Sequence, residues 1–241
     1  MRTNLIIVED FYADPAAVRN YALSRSYYHP YQRDDLIRRG AARPNWFASG
    51  FLDAGECPFK SSTTLIERLE EITGERIDID HWKRSFPVDS EGKAAGHCAT
   101  VEHSCLWNCC FHVKPGVPQP LGEGVHNHVT DTWNSVGPDG WAGIIYLSPD
   151  APLEGGLKLW RNKRGGHDFD WMTPAGNWRL IDDIGNVYNR LVLARGDLPH
   201  SGSAGWGDTV ATGRLFQTFF FKTTGGARRD SLALPLIGTA P

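Results

Sequence analysis

The chain has 241 residues, of which 41% are hydrophobic and 22% charged, and its formal net charge is −3. This length can bury one sizeable core, and the composition is typical of a globular protein. The small net charge provides no broad basic surface, so nucleic acid is not an expected partner. No apolar run approaches the roughly 20 residues that span a bilayer, so no membrane association is expected.

The N-terminal segment and the cysteines indicate the cellular compartment. The apolar stretch at residues 5–8 is interrupted by Glu9 and Asp10, so it is too short for a signal peptide and predicts a first strand in a cytoplasmic protein. The five cysteines are odd in number, two of them are adjacent, and no CxxC pair occurs. This pattern favours reduced thiols over a disulfide framework or a cysteine metal cluster.

The first quarter of the chain predicts a strand, a helix and a loop. Residues 5–11 are the strand, and Asp14-Pro15 forms an N-cap with proline at the first helical position of a helix that ends near Ser24. Residues 26–60 are rich in Tyr, Pro, Arg and Gly without a sustained period. We expect a long ordered loop there that covers the core and shapes a pocket.

A second helix and then a run of strands follow. The helix is predicted to start at residues 61–63 and to end at Gly74, with an apolar face made of Leu65, Ile66, Leu69 and Ile72. Short segments rich in β-branched and aromatic residues predict strands at 105–113, 124–129, 141–147, 157–161, 189–194 and 214–222. Helices followed by strands indicate a mainly β fold with flanking helices, either a sandwich or a barrel. We find no linker, so residues 1–241 are predicted to form a single domain.

Two histidine-rich segments contain the candidate metal ligands. His126 and His128 lie two residues apart, so on a strand they point the same way, and Asp131 joins them if the chain turns after Val129. His200 lies far along the chain and completes a set of three ligands if the fold brings it alongside. Two histidines and one carboxylate with open coordination positions suit iron(II) oxygen chemistry.

Arg214 begins an apolar strand fourteen residues after His200. Burying an arginine there is costly unless it meets an anion, and its planar fork suits a carboxylate such as the distal one of 2-oxoglutarate. The alternative is a surface arginine at the start of an edge strand.

These motifs resemble the Fe(II)/2-oxoglutarate-dependent dioxygenase superfamily, and within it small uncharacterised members of the prolyl-4-hydroxylase type. The similar passages are residues 7–12, 141–152, Gly155-Gly156, 183–193, 195–197, His200 and the strand that begins at Arg214. The resemblance implies a double-stranded β-helix (a jelly-roll, cupin-like core) at about 98–224, preceded by a helical and loop part at 1–97. It further implies Fe(II) and 2-oxoglutarate as cofactors, with Arg214 binding the 2-oxoglutarate.

The first ligand motif departs from the superfamily pattern, which has a carboxylate two residues after a histidine. Here that position holds His128 after His126, and Thr130 after His128. We favour His128, Asp131 and His200 as ligands, with a one-residue bulge. The alternative uses His126 and His128 together, with Asp131 behind them. Because the position that halogenating relatives leave small is occupied, hydroxylation is favoured over halogenation.

The predicted activity is hydroxylation, with O2, of an aliphatic C–H bond in an amino acid, a peptide side chain or a small metabolite. Candidate substrate-contacting residues near the ligand segments are Trp133, Asn134, Tyr146, Trp160 and Arg161. Two rivals stay open: a three-histidine oxygenase that does not use 2-oxoglutarate, and a β-sandwich binding module without iron. The sequence indicates neither the substrate nor the oligomeric state.

Overall fold

A computed structural model describes residues 2–27, 45–49, 57–83, 107–129, 135–165 and 173–225. The helices are α1 (Pro15–Leu23), α2 (Thr63–Thr73) and α3 (Ile79–Lys83). The Asp14 side chain accepts a hydrogen bond from the third residue of α1, and Ser62 caps α2 in the same way. Gly74, in the left-handed conformation at φ 70°, ends α2. Both predicted helices are therefore confirmed.

Two antiparallel sheets form the body of the protein. The strands are β1 (Leu5–Val8), β2 (Phe47–Ala48), β3 (Phe111–Lys114), β4 (Trp141–Tyr146), β5 (Leu157–Asn162), β6 (Trp178–Ile184), β7 (Leu191–Arg195), β8 (His200–Gly202) and β9 (Arg214–Phe221). The major sheet has the order β1-β7-β4-β9-β3-β2, and the minor sheet has the order β6-β5-β8. The crossovers between strands that are distant in sequence are those of a jelly roll rather than of a simple meander.

The two sheets enclose one apolar layer, and the helices cover the outside of the major sheet. The enclosed layer draws on both sheets and consists of Ile144, Tyr146, Leu157, Leu159, Ile184, Val192 and Phe216. On the outer face, Leu65, Ile66 and Leu69 of α2 pack in one cluster with Phe219 and Phe221. The prediction of a mainly β fold with flanking helices and a jelly-roll core is confirmed.

Strand β9 lies in the middle of the major sheet and is buried along its whole length. Because side chains alternate between faces, Phe219 and Phe221 meet the helices, whereas Arg214, Phe216 and Phe220 point between the sheets. A continuous apolar sequence is needed here because both faces are covered. The strand thus presents a buried arginine at one end of the interior and an aromatic ring at the other.

Some predicted strands differ from the structure for local reasons. Within the strand predicted at 105–113, residues 107–109 form a turn and Cys109 adopts a positive φ of 65°, so β3 starts at Phe111; residues 105 and 106 lie outside the described residues. The segment 124–129 makes one isolated bridge instead of a strand. Strand β6 was missed because its exposed middle, with the adjacent acids Asp182-Asp183, has no alternating pattern.

Two further findings concern the cysteines and membranes. Cys57, Cys109 and Cys110 are buried, and none of these three forms a disulfide; Cys98 and Cys105 lie outside the described residues. Among the helices that the structure describes, none is long and apolar enough to cross a membrane.

A buried ion pair joins the end of α2 to the major sheet. Arg195 at the end of β7 donates to both carboxylate oxygens of Glu75, at 2.5 and 3.0 Å, and its guanidinium lies 3.8 Å from the centre of the Trp141 ring. Trp141 donates its indole N–H to the same carboxylate. Burial opposes ionisation of Glu75, but these hydrogen bonds outweigh it and lower its pKa.

We predict that Glu75→Gln lowers the free energy of unfolding by about 2 kcal/mol at pH 7, because it leaves Arg195 buried without its counter-ion. A lowered pKa in the folded state means that the stabilisation is present above the unfolded pKa of about 4.3 and is lost as the pH falls through the folded value. Urea unfolding at pH 7 and pH 3 should therefore show the difference between variant and wild type shrinking at the lower pH.

The control is Glu71→Gln, which removes an exposed ion pair with Arg68 on the same helix. Such a pair contributes less than about 0.5 kcal/mol, so this variant should unfold almost like the wild type. Equal losses in the two variants would contradict the role assigned to the buried pair.

Candidate metal centre

Three histidines from two distant segments meet between the sheets. His126, His128 and His200 each offer a ring nitrogen, and these atoms all lie within 4.8 Å of one another. The ring centroids are 4.7 Å apart for His126 and His200, and 5.0 Å apart for each of the other two pairs. This is the arrangement of side chains that hold one metal ion from one side.

Backbone hydrogen bonds set this arrangement. His126 and His200 exchange both of their N–H···O=C bonds, at 3.0 and 2.9 Å, as an antiparallel pair. The backbone N–H of His128 donates to the carbonyl of Gly196, in the connection between β7 and β8, at 2.7 Å. Three hydrogen bonds therefore hold the His126–His128 segment against the strand that carries His200.

The ring hydrogen bonds determine which nitrogen is left to bind a metal. Nδ1 of His126 donates to the carbonyl of Gly124 at 2.9 Å, and Nδ1 of His200 donates to the carbonyl of Leu198 at 2.8 Å. Because a carbonyl can only accept, Nδ1 carries the proton in both rings, and each Nε2 has a lone pair. Backbone carbonyls commonly orient metal-binding histidines in this way.

The spacing of the nitrogens also fits a shared ion. Nε2 of His128 lies 3.2 Å from Nε2 of His200. Two ligands at about 2.1 Å from one metal are roughly 3.0 to 3.4 Å apart, depending on whether the coordination is octahedral or tetrahedral. The two rings therefore have the separation of neighbouring ligands without any rearrangement.

The cluster is shielded from water. His128 is 3% exposed and His200 is 7% exposed, and the ring of Phe220 packs 4.8 Å from that of His128. Burial, and then the two neighbouring histidines, lower the pKa of His200 well below its ordinary value. A neutral imidazole is the form that binds a metal, so the environment favours the ligand state.

Of the three ligands that we favoured, His128 and His200 are brought together, whereas Asp131 lies outside the described residues, as do Trp133 and Asn134. His126, the alternative ligand, occupies the third position of the cluster. The bulged set with Asp131 thus stays a prediction. The geometry described here favours the alternative in which both histidines of the His126–His128 pair act as ligands.

Arg214 is buried at the inner end of the same cavity wall, with 1% of its surface exposed. Its Nε donates to the carbonyl of Gly155 at 2.6 Å, and Nη2 donates to the carbonyl of Gly156 at 3.1 Å. These two contacts take one edge of the guanidinium. Within the described residues no carboxylate pairs with it, so the edge that contains Nη1 can still bind an anion.

Three buried polar atoms near this guanidinium make no hydrogen bond of good geometry with the described residues: Tyr146 Oη, Asn186 Oδ1 and Ser203 Oγ. Asn186 donates to the carbonyl of Gly155, and the backbone N–H of Ser203 donates to that of Gly156, so both adjoin the carbonyls that hold Arg214. Burial raises the pKa of Tyr146 to about 12, so its hydroxyl keeps its proton and can donate. Unpartnered buried groups are rare, and grouped around one cation they indicate a place for a polar ligand.

The register of β8 relates the cation to the histidines. A methyl group at Gly202 would lie 3.2 Å from Nη1 of Arg214, so the guanidinium covers this glycine. Gly202 and His200 lie two residues apart on the same face of β8, which corresponds to about 7 Å along the strand. The five-carbon chain of 2-oxoglutarate spans about 5 Å between its terminal carbons. The length of such a molecule is thus comparable with the separation of these two positions on β8.

Other residues named from the sequence have different surroundings. Trp160 packs with Val125 and Trp178 and donates to Ser201 Oγ at 2.9 Å, so it is a core residue rather than a pocket wall. Arg161 is exposed. Tyr146 is buried with its ring 5.9 Å from the Arg214 guanidinium, and its contact with a substrate stays a prediction.

A buried histidine outside the cluster, His112, was missed by sequence reasoning. His112 accepts from the indole N–H of Trp46 and donates through Nε2 to Thr218 Oγ1. Its ring stacks on Phe216, and burial followed by the charge of Arg214 lowers its pKa to about 3. Both nitrogens are thus occupied, and this neutral histidine braces the wall of the cavity. No local sequence pattern distinguishes it from a metal ligand.

Comparison with known proteins covers families, curated proteins and solved structures. No family model matches the chain. A curated relative, a probable 4-deoxy-4-formamido-L-arabinose-phosphoundecaprenol deformylase of Shewanella sediminis, is 36% identical over 101 residues, which is 42% of this chain. The match spans 32% of the length of that protein.

Two similar solved structures are prolyl hydroxylases, the type of enzyme that the sequence motifs resemble. One, from Trichoplax adhaerens, is in complex with a hypoxia inducible factor oxygen degradation domain peptide fragment, and the similarity covers 90% of this chain and 83% of that one at 15% identity and a TM-score of 0.44. The other is a prolyl-4-hydroxylase of Pseudomonas putida, with 92% and 94% covered at 13% identity and a TM-score of 0.40.

We predict that His126→Ala, His128→Ala and His200→Ala each weaken metal binding at least about 100-fold, because each variant removes one of three ligands. Co(II) is a suitable probe because histidine ligation changes its visible absorption. The affinities are measured by titration in competition with a chelator.

Two control variants separate ligands from other residues. His112→Gln removes a buried histidine from the same interior and should leave the Co(II) affinity within about threefold of the wild type. Asp131→Asn tests the alternative ligand set. A loss as large as that of His128→Ala, combined with full affinity in His126→Ala, would show that Asp131 and not His126 completes the site.

Proposed function

We propose that this protein is an Fe(II)/2-oxoglutarate-dependent oxygenase that hydroxylates an aliphatic C–H bond. The observation that carries the proposal is the pairing of a three-histidine cluster with a buried arginine that meets no carboxylate among the described residues and covers Gly202, two positions from His200 and about 7 Å along β8. Either feature alone is compatible with a purely structural role. Together they match a metal that is chelated by one end of a dicarboxylate whose other end meets a cation.

His126, His128 and His200 would hold the iron through one ring nitrogen each, which is Nε2 in His126 and His200. When bound, Fe(II) and 2-oxoglutarate together with O2 supply the oxidising power for hydroxylation. The carbonyls of Gly124 and Leu198 orient the rings of His126 and His200, and burial lowers the pKa of His200 and so favours its neutral form. Their preset geometry means that little reorganisation accompanies metal binding.

Arg214 and Tyr146 would bind the distal carboxylate of 2-oxoglutarate. The carbonyls of Gly155 and Gly156 hold one edge of the guanidinium, which leaves Nη1 for the carboxylate. The protonated hydroxyl of Tyr146, whose ring lies 5.9 Å from the Arg214 guanidinium, is a second donor. Because the pocket is dry, these charge-assisted hydrogen bonds are stronger than they would be in water.

The substrate class follows from the sequence resemblance as a proposal: an amino acid, a peptide side chain or a small metabolite. Trp133, Asn134 and Arg161 remain proposed substrate contacts. The cytoplasm remains the proposed location, and one oxygenase domain over residues 1–241 remains the proposed organisation.

A three-histidine oxygenase that does not use 2-oxoglutarate is the second candidate. The observation that favours it is that the cluster contains three imidazoles and no carboxylate from the part of the chain that the structure describes. It would leave Arg214 a structural residue. Arg214 and Tyr146 therefore separate the two candidates.

We predict that the anaerobic wild-type protein with Fe(II) and 2-oxoglutarate shows the weak visible metal-to-ligand charge-transfer band of a chelated 2-oxo acid. His200→Ala should abolish the band because the iron loses a ligand. Tyr146→Phe should raise the 2-oxoglutarate concentration for half-maximal absorbance by about tenfold, which corresponds to one lost hydrogen bond to a charged group. Arg214→Met should raise it further.

Removing Arg214 can also destabilise the fold, so Tyr146→Phe, which deletes one oxygen atom, is the decisive variant. Tyr12→Phe is the matched control: it deletes a hydroxyl that hydrogen-bonds Gln217 on the outer face of the major sheet. Iron binding without a band in the wild type would favour the second candidate. If the wild type binds no iron, the β-sandwich binding module without iron is the hypothesis that fits.

A further inference from the structure

A pair of exposed arginines lies directly opposite each other in the minor sheet. Arg161 on β5 is the cross-strand partner of Arg179 on β6. Side chains at such positions are about 5 Å apart at Cβ, and like charges there repel and destabilise the sheet. Neither arginine forms an ion pair with a described residue, although both lie at positions where an acidic partner would be stabilising. An anionic ligand shared by both side chains would remove this repulsion.

The register shows which way the pair faces. The irregularity between β5 and β6 places the extra residue, Ile181, on β6, so β5 keeps its regular alternation. Leu157 and Leu159 of β5 point into the layer between the sheets, and Arg161 follows on the same face. Arg179, as its direct partner, shares that face.

The pair lies one step beyond the metal cluster along the strand. Leu159 is the cross-strand partner of His200, and Leu157 is the partner of Gly202, which Arg214 covers. Along this face of β5 the order is therefore the buried cation, the imidazole cluster and then the exposed arginines, with about 7 Å for each step of two residues. The arginine pair is exposed and lies on the side of the cluster away from Arg214.

One acidic residue shares the face. Asp182 is the partner of Leu159, and its Oδ1 accepts from the backbone N–H of Asp183 at 2.8 Å. It makes no described ion pair with either arginine. The next basic residues along the chain, Lys163 and Arg164, are exposed and lie beyond the end of β5, so they provide matched positions for charge removal.

We propose that Arg161 and Arg179 together bind an oxyanion of the substrate, a carboxylate or a phosphoryl group, and so hold the substrate over the metal cluster. The substrate role rests on the proposed function; the oxyanion site does not. Two guanidinium forks provide parallel N–H donors that match either group. The substrate class is then narrowed from amino acids and small metabolites in general to those that carry a carboxylate or phosphoryl group.

The test is calorimetric titration of the anaerobic Fe(II)/2-oxoglutarate protein with inorganic phosphate and, separately, with acetate. We expect saturable binding of at least one anion while the charge-transfer band persists. Arg161→Gln/Arg179→Gln should weaken this binding about tenfold or more, and Lys163→Gln/Arg164→Gln, which removes the same charge, should change it less than about twofold. The tighter anion identifies the preferred group.

The arginine variant relieves a repulsion, so it should unfold no earlier than the wild type, and lost binding then reflects a lost site. Equal anion affinities in the wild type and the two double variants would overturn the proposal. Loss of the charge-transfer band on addition of the anion would also overturn it, because the anion would then bind at the iron or at Arg214. If the wild type forms no band, the proposed function fails, and the same titration on the metal-free protein still decides whether the pair binds an oxyanion.

Discussion

The paired hydrogen bonds between the backbones of His126 and His200 are the contact on which the whole site depends. They join two segments that lie more than seventy residues apart and set the rings side by side. The same pairing extends the minor sheet, whose β8 strand also carries Gly202 over the guanidinium of Arg214. A short ladder of backbone contacts thus determines the metal ligands and the distance to the cation at once. Loss of this pairing would separate His200 from His126 and His128.

The residues of the interior contribute unequally to the free energy of folding. Its apolar layer stabilises the fold by burial, whereas Arg214, the unpartnered Tyr146 hydroxyl and three imidazoles are expensive to enclose. The structure offsets part of this cost with backbone carbonyls, which satisfy one edge of the guanidinium and one nitrogen of each of two rings. Three of the buried polar atoms without a well-formed hydrogen bond among the described residues, Tyr146 Oη, Asn186 Oδ1 and Ser203 Oγ, lie around Arg214 or the carbonyls that hold it. Such concentrated destabilisation is typical of sites that a ligand completes.

Much of the framework could be predicted from the chain because it depends on local chemistry. Helix caps, the Gly74 stop and the apolar runs of β4 and β9 are read from neighbouring residues. The distant elements of the site were accessible only through residue types that are costly to bury, as with His200 and Arg214. Strand β6 and the brace at His112 were not predictable, since the first depends on pairing with β5 and the second on an indole that arrives from elsewhere in the chain. The place of His126 in the cluster likewise depends on its bridge to β8.

The backbone tether of Arg214 has a consequence for which acids the pocket admits. A guanidinium on a flexible side chain follows its ligand, but one anchored at Gly155 and Gly156 cannot move toward or away from the imidazoles. The distance between the guanidinium and the imidazoles is then fixed, and it selects the chain length of the dicarboxylate that binds. A four-carbon dicarboxylate would reach one end and fall short of the other, and a six-carbon one would have to fold. Under the proposed function, discrimination among cellular keto acids would come from rigid glycine carbonyls rather than from any side chain that touches the cosubstrate.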